Sequence, residues 1–198
     1  DTATTEIYTF PYTTLFRSKF VFINKYSRCL KKNKADAVIT DIPRLPIGIL
    51  TADCAPILIF DKQKKMVAAI HAGWKGAYKG IISKVINFMI KKGCEKKNII
   101  AVIGPCIAQK SYNVKEDFKK KFLKKDKRNK VFFKKRKNLI YFDLSKYVKL
   151  QLKLMKITNL ETINIDTFPK KNNFFSARRS LHLNHDDYGR NISLIMIN

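Results

Sequence analysis

From Lys19 onward, short apolar runs alternate with amphipathic segments, the pattern of an α/β or α+β chain. Strands are predicted at residues 20–23, 37–40, 47–50, 56–60, 66–70, 99–103, 139–142, 162–166 and 192–197. Two of them, PILIFD and MVAAIH, flank the polar DKQKK and read as a hairpin, which places Cys54 and His71 near the same end of adjacent strands. Three helices are predicted. In GAYKGIISKVINFMIKKG, Ile81, Ile82, Val85, Ile86, Met89 and Ile90 recur at helical spacing, with Gly93 where a C-terminal cap belongs. Asn113 with Glu116 resembles a capping box ahead of Phe118 and Phe122, and Asp143 is placed to cap a third helix. Residues 124–137 read as the weakest ordered stretch.

The 198 residues, 45% of them hydrophobic, suffice for one domain with a real core. No apolar run approaches the roughly 18 residues of a membrane helix and no leader pattern opens the chain, so the expectation is a soluble, cytoplasmic protein. Four scattered cysteines without a CxxC pair fit neither a disulfide framework nor a zinc ribbon. A net charge of +26 raises nucleic acid as a partner. The excess is mostly Lys accompanied by Ile and Asn, and no aromatic-interleaved motif goes with it. It reads as compositional bias with solvated faces, and nucleic acid is not expected as a partner.

The first eighteen residues, DTATTEIYTFPYTTLFRS, contain no Lys and are rich in Thr, unlike the rest of the chain. They resemble the translation of a common sequencing adaptor with a one-base slip near Thr9. On that reading residues 1–18 are non-native, 19–198 form a single domain, and the natural N-terminal part is missing.

Reactive side chains cluster at the ends of apolar runs: Asp53 and Cys54 between two strands, His71 after a third, Cys106 after a fourth. Strand ends present side chains to a cleft, and imidazole and thiolate bind zinc well. A Cys/His nucleophile pair and a metal site are equally compatible with these residues.

TADCAPILIFD (51–61), AAIHAGWKG (68–76) and GPCIAQKSYNV (104–114) resemble, in order and spacing, the signature blocks of the laccase-domain family. That family is also called the multicopper polyphenol oxidoreductase, peptidoglycan-editing-factor or purine nucleoside phosphorylase family. ADAVITD, FFSARRS and YGRNISLIMI extend the resemblance over about residues 34–198. It implies a mixed-sheet, four-layer α/β/β/α fold of the cytotoxic-necrotizing-factor type. It also implies zinc-dependent phosphorolysis of adenosine, inosine, guanosine and methylthioadenosine, with adenosine deamination alongside. By the same resemblance His71 and Cys106 are the metal ligands, and a third, a His, is expected at the position of Leu123. His182 and His185, then Asp186 and Asp187, are the candidates to replace it.

Phosphorolysis must hold a phosphate dianion and stabilise a departing purine. Arginine forks match phosphate oxygens, so Arg178 and Arg179 are the leading phosphate ligands, with Arg190 and Lys75 behind them. Asp53 is a candidate general acid or an orienter of His71, and Cys54 a second thiol near the metal. Two other readings stand beside this one. A copper polyphenol oxidase needs a blue site and a trinuclear cluster, and the chain has three histidines in all, so zinc is expected rather than copper. The other is a degenerate, basic binding protein.

Overall fold

The computed structural model describes residues 18–24, 35–185 and 189–198. Predicted features on residues 1–17, on Cys29, and on Asp186 and Asp187 lie outside them. A six-stranded mixed sheet runs in the order β1 (Phe20–Ile23), β2 (Ala37–Thr40), β5 (Met66–Ala72), β4 (Ala55–Asp61), β6 (Ile99–Ile103), β10 (Asn159–Thr162). The outer pairs β1–β2 and β6–β10 are parallel, and the pairings between them are antiparallel. Six of the seven residues of β5, MVAAIHA, are buried, as a strand covered on both faces requires.

On one face lie α2 (Ile81–Lys91) and α4 (Leu144–Leu154), whose Ile82, Val85, Ile86, Val148 and Leu152 pack with Ile57, Ile59 and Ile70. Val67 and Ala69 point to the other face. There they meet Ile47 and Ile49 of β3 (Ile47–Thr51), which pairs antiparallel with β11 (Asn191–Ile195). The described residues therefore form helices, a large sheet and a two-stranded sheet: a mixed α/β fold with three layers of the four expected. A third small sheet, β7 (Asn113–Val114), β9 (Leu139–Phe142) and β8 (Phe133–Arg136), adjoins α3 (Glu116–Lys125). Among the described residues no helix is long and apolar enough to cross a membrane.

Three expectations change. The first helix is two, α1 (Trp74–Tyr78) and α2, because Gly80 stands between them at φ +79, a left-handed backbone that glycine adopts without strain. Asn113 is in a strand rather than in a capping box: α3 begins after Lys115 with no side-chain cap, and the Asn113 side chain binds an arginine instead. The predicted strand at 162–166 lies earlier, at Asn159–Thr162, because pairing with β6 runs out where Thr162 meets Ile103 and the chain then bends, with Ile165 N–H donating to the Ile163 carbonyl. Asp143 does cap α4, accepting from Lys146 N at 2.8 Å. Residues 124–137 are ordered: Phe132 is buried, and Asn129 donates to the Phe122 carbonyl at 2.8 Å.

Candidate active site

The β4–β5 hairpin sets the site. Its tip is fixed by Asp61, fully buried, whose carboxylate accepts from Gln63, Lys64 and Glu95 backbone N–H groups. From that tip the register runs without a bulge to Pro56 opposite His71 and Ala55 opposite Ala72, so Cys54 and His71 emerge side by side at the far end. Beyond them Gly73 turns the chain into α1. A Cβ on Gly73 would stand 2.8 Å from Cys54 Sγ and 3.7 Å from His71 Nε2, so thiol and imidazole border one small space that a methyl group would fill.

Burial lowers the pKa of His71, since the imidazolium loses its hydration; Arg190 adds to the lowering, and Asp36 opposes it. The ring is thus neutral near pH 7, with a lone pair to offer. Its Nδ1 is buried and makes no hydrogen bond of good geometry among the described residues, although the Leu50 carbonyl lies close enough to favour the protonated ring. Burial pushes the Cys54 thiol up to about 12, with Asp53 and then Asp36 adding to it. A nucleophilic cysteine needs the opposite shift. The pair suits a soft cation, which takes thiolate and neutral imidazole together and displaces the thiol proton.

Asp53 sits one residue before Cys54 in a left-handed conformation, φ +78, and is 8% exposed. Its Oδ1 accepts from Thr167 Oγ1 at 2.7 Å. Its Oδ2 accepts from Ser176 Oγ at 3.0 Å and from Arg178 N at 2.6 Å. Both oxygens are engaged in joining segments of the chain.

A cavity of about 910 Å³ has Trp74, the residue after Gly73, on its wall together with Tyr112, Phe118, Lys121, Asn138 and Arg178. Arg178 lies over the Tyr112 ring, 5.2 Å from its centroid, and donates to the Asn113 carbonyl at 2.9 Å and to the Asn113 side-chain oxygen. Tyr112 is close enough to Cys54 for that residue to affect its ionisation, and burial raises its pKa. Lys121 and Lys75 stand 5.6 and 5.5 Å from the Trp74 ring centroid.

The other predicted site residues divide. Arg179 points away from ligand duty: its guanidinium donates to the carbonyls of Thr167, Phe168 and Phe174. Lys75 and Arg190 are exposed, Arg190 near enough to act on His71. Cys106 is 5% exposed and lines a second cavity, of about 460 Å³, with Asp143, Ser145 and Asp166; burial pushes its thiol up to about 12. Cys54 Sγ borders the same small space as His71 Nε2, and Cys54 also acts on the ionisation of Cys106, so the two thiols lie near each other. Leu123 is a half-buried residue of α3, beside the fully buried Phe122. His182 is exposed, its ring edge-on to Phe168 at 5.6 Å, and His185 N–H donates to the Ser180 carbonyl. Among the described residues no group of three or more His, Cys, Asp or Glu side chains is arranged to hold a metal.

Sequence reasoning passed over Tyr112 and Asn113, whose roles depend on Arg178 arriving from 65 residues away. It also passed over Asp36, whose backbone carbonyl accepts from His71 N at 2.7 Å. The Trp of HAGW was the one signal that an aromatic wall follows the histidine.

A family model described as multi-copper polyphenol oxidoreductase laccase matches residues 12–198. The chain is 41% identical over 161 residues to a purine nucleoside phosphorylase of Rickettsia conorii, covering 80% of this chain and 66% of that one. It is 34% identical over 149 residues to a purine nucleoside phosphorylase of Bacteroides thetaiotaomicron, covering 73% of this chain and 55% of that one. It thus spans roughly two thirds or less of these relatives' length. Among solved structures, hypothetical protein YfiH of Bacillus licheniformis aligns with a TM-score of 0.84 at 26% identity, covering 98% of this chain and 75% of that chain. YlmD of Geobacillus stearothermophilus, at 22% identity and a TM-score of 0.76 over 91% of this chain and 70% of that one, shares the fold.

Proposed function

The chain belongs to the multi-copper polyphenol oxidoreductase laccase family, and from that premise we propose that it cleaves purine nucleosides by phosphorolysis, with zinc held between Cys54 and His71. One observation carries the reading: an aromatic cavity with an arginine over a tyrosine on its wall is joined to the cradle shared by a thiol and a neutral imidazole through Trp74, the residue after Gly73, and Tyr112, whose ionisation Cys54 affects. Relatives named purine nucleoside phosphorylase support the reaction class.

In the reaction a phosphate oxygen bonds to the anomeric carbon as the N-glycosidic bond breaks, and the purine leaves with the bonding pair and takes up a proton. Arg178 is the phosphate ligand, its fork already oriented by Asn113 and Tyr112. Trp74 and Tyr112 offer π faces to the base. Lys121, Lys75 and Arg190 supply positive charge at the rim, which draws a dianion in. Cys54 and His71 are the metal ligands in this reading, and Cys106, whose ionisation Cys54 affects, is the competing thiol. A bound zinc supplies a fixed positive charge and a Lewis acid at that point. Adenosine deamination at the same centre is the accompanying proposal. Arg179 acts as a staple for the 167–174 loop, and Asp53 as an anchor.

The test is phosphate-dependent release of hypoxanthine from inosine. Cys54→Ala and Arg178→Ala are each expected to lower kcat/KM at least 100-fold. Wild-type turnover in Cys54→Ala would remove the thiol from the site.

A further inference from the structure

We infer that Asp53 is a positioning residue for the phosphate: it fastens the turn carrying Cys54 to the segment carrying Arg178, so the two halves of the site hold one spacing. The inference rests on the phosphorolysis reading. Four features converge on this one residue. Its backbone is left-handed, which aspartate and asparagine tolerate better than most residues and which costs energy that the surroundings must offset. Its carboxylate receives three donors from two other segments, Thr167 Oγ1 from one and Ser176 Oγ with Arg178 N from the next. Its carbonyl accepts from Ile107 N at 3.0 Å, which fastens the loop after β6 as well. Cys54 follows it directly in the chain, and Arg178 is held by it directly through its backbone N–H.

An acid that delivers a proton to a leaving group needs an oxygen facing the substrate, and both oxygens of Asp53 face protein donors. The contact with Arg178 is made through the backbone, so its guanidinium stays available to the cavity. What Asp53 controls is the place from which that guanidinium reaches Asn113 and Tyr112.

Two variants keep the left-handed backbone: Asp53→Asn, which retains the shape and loses the carboxylate, and Asp53→Gly, which loses the side chain. The chain has a single tryptophan, Trp74, on the cavity wall with Arg178, so its fluorescence titrated with inorganic phosphate reads anion binding without turnover. Both variants are expected to move the phosphate midpoint upward at least 10-fold, and to raise KM for phosphate similarly while kcat at saturating phosphate stays within about threefold. The double variant Asp53→Asn/Arg178→Ala should titrate no worse than Arg178→Ala alone, since both act through one group. If Asp53→Asn and Asp53→Gly titrate like wild type while Arg178→Ala is shifted, the inference is overturned and the phosphorolysis reading stands, whatever happens to the melting temperature. A wild-type protein whose fluorescence ignores phosphate overturns both. Should neither Asp53 variant fold, Thr167→Val, which removes one donor and spares the turn, must produce the same shift in smaller measure. A Thr167→Val protein that titrates like wild type then overturns the inference.

Discussion

Gly73→Ala is the smallest change that enters the site. Gly73 has φ −70 and ψ 163, values open to any residue, so alanine imposes no backbone strain and its whole effect comes from the added methyl. That methyl would stand 2.8 Å from Cys54 Sγ and 3.7 Å from His71 Nε2. Non-bonded heavy atoms rest at about 3.5–4.0 Å, so the imidazole contact is ordinary and the thiol must retreat by roughly 1 Å. Overpacking of this kind costs about 1–3 kcal/mol, and 1 Å of misplacement costs on the order of 100-fold in rate. The variant should therefore fold with a modestly lower melting temperature, lose most of its zinc, and lose about 100-fold in phosphorolysis of inosine. Gly73→Ala/Cys54→Ala should regain the stability without the activity, because the clash goes and the ligand goes with it. A Gly73→Ala protein with full zinc and wild-type turnover would refute the claim that the thiol and imidazole work across this space.

The same geometry sets other expectations. Arg179→Ala removes a guanidinium that holds three backbone carbonyls and should cost about 2–4 kcal/mol in urea denaturation, while phosphate binding by the folded protein, read by Trp74 fluorescence, stays within twofold. Ile86→Ala, at a fully buried position in α2 over the large sheet, should cost about 2–5 kcal/mol in the same measurement with little effect on KM. For pH, the Cys106 thiol is pushed up to about 12 from its ordinary 9.0 by burial, so the folded state keeps a proton that the unfolded chain loses near pH 9. Its contribution is complete below pH 9 and is lost between 9 and 12 at up to about 1.4 kcal/mol per unit. Cys106→Ala should flatten the fall in stability between pH 9 and 11; an unchanged slope would contradict the assigned burial effect.

How much of this was legible in the chain depends on the range of the interactions. The hairpin was readable because PILIFD and MVAAIH are consecutive and only four polar residues separate them, so the pairing that sets His71 beside Cys54 follows from local pattern. The helix break at Gly80 was missed because the apolar spacing of Ile81 to Ile90 is continuous with Ala77, and one left-handed residue leaves no trace in periodicity. Asp53 read as a candidate acid because a carboxylate beside a cysteine suggests chemistry. Its three donors come from residues more than 110 positions away and only the folded chain reveals them. A separation of 65 residues between Asn113 and Arg178 hid that contact in the same way, and two thiols were left competing for His71, since both GPC and ADC end apolar runs.

That competition is also the most direct test of the account. Zinc stoichiometry, measured by mass spectrometry on the purified protein and on Cys54→Ala, Cys106→Ala and His71→Ala, should show Cys106→Ala retaining the metal at the wild-type level and the other two losing it. Retention by Cys54→Ala together with loss from Cys106→Ala would contradict it.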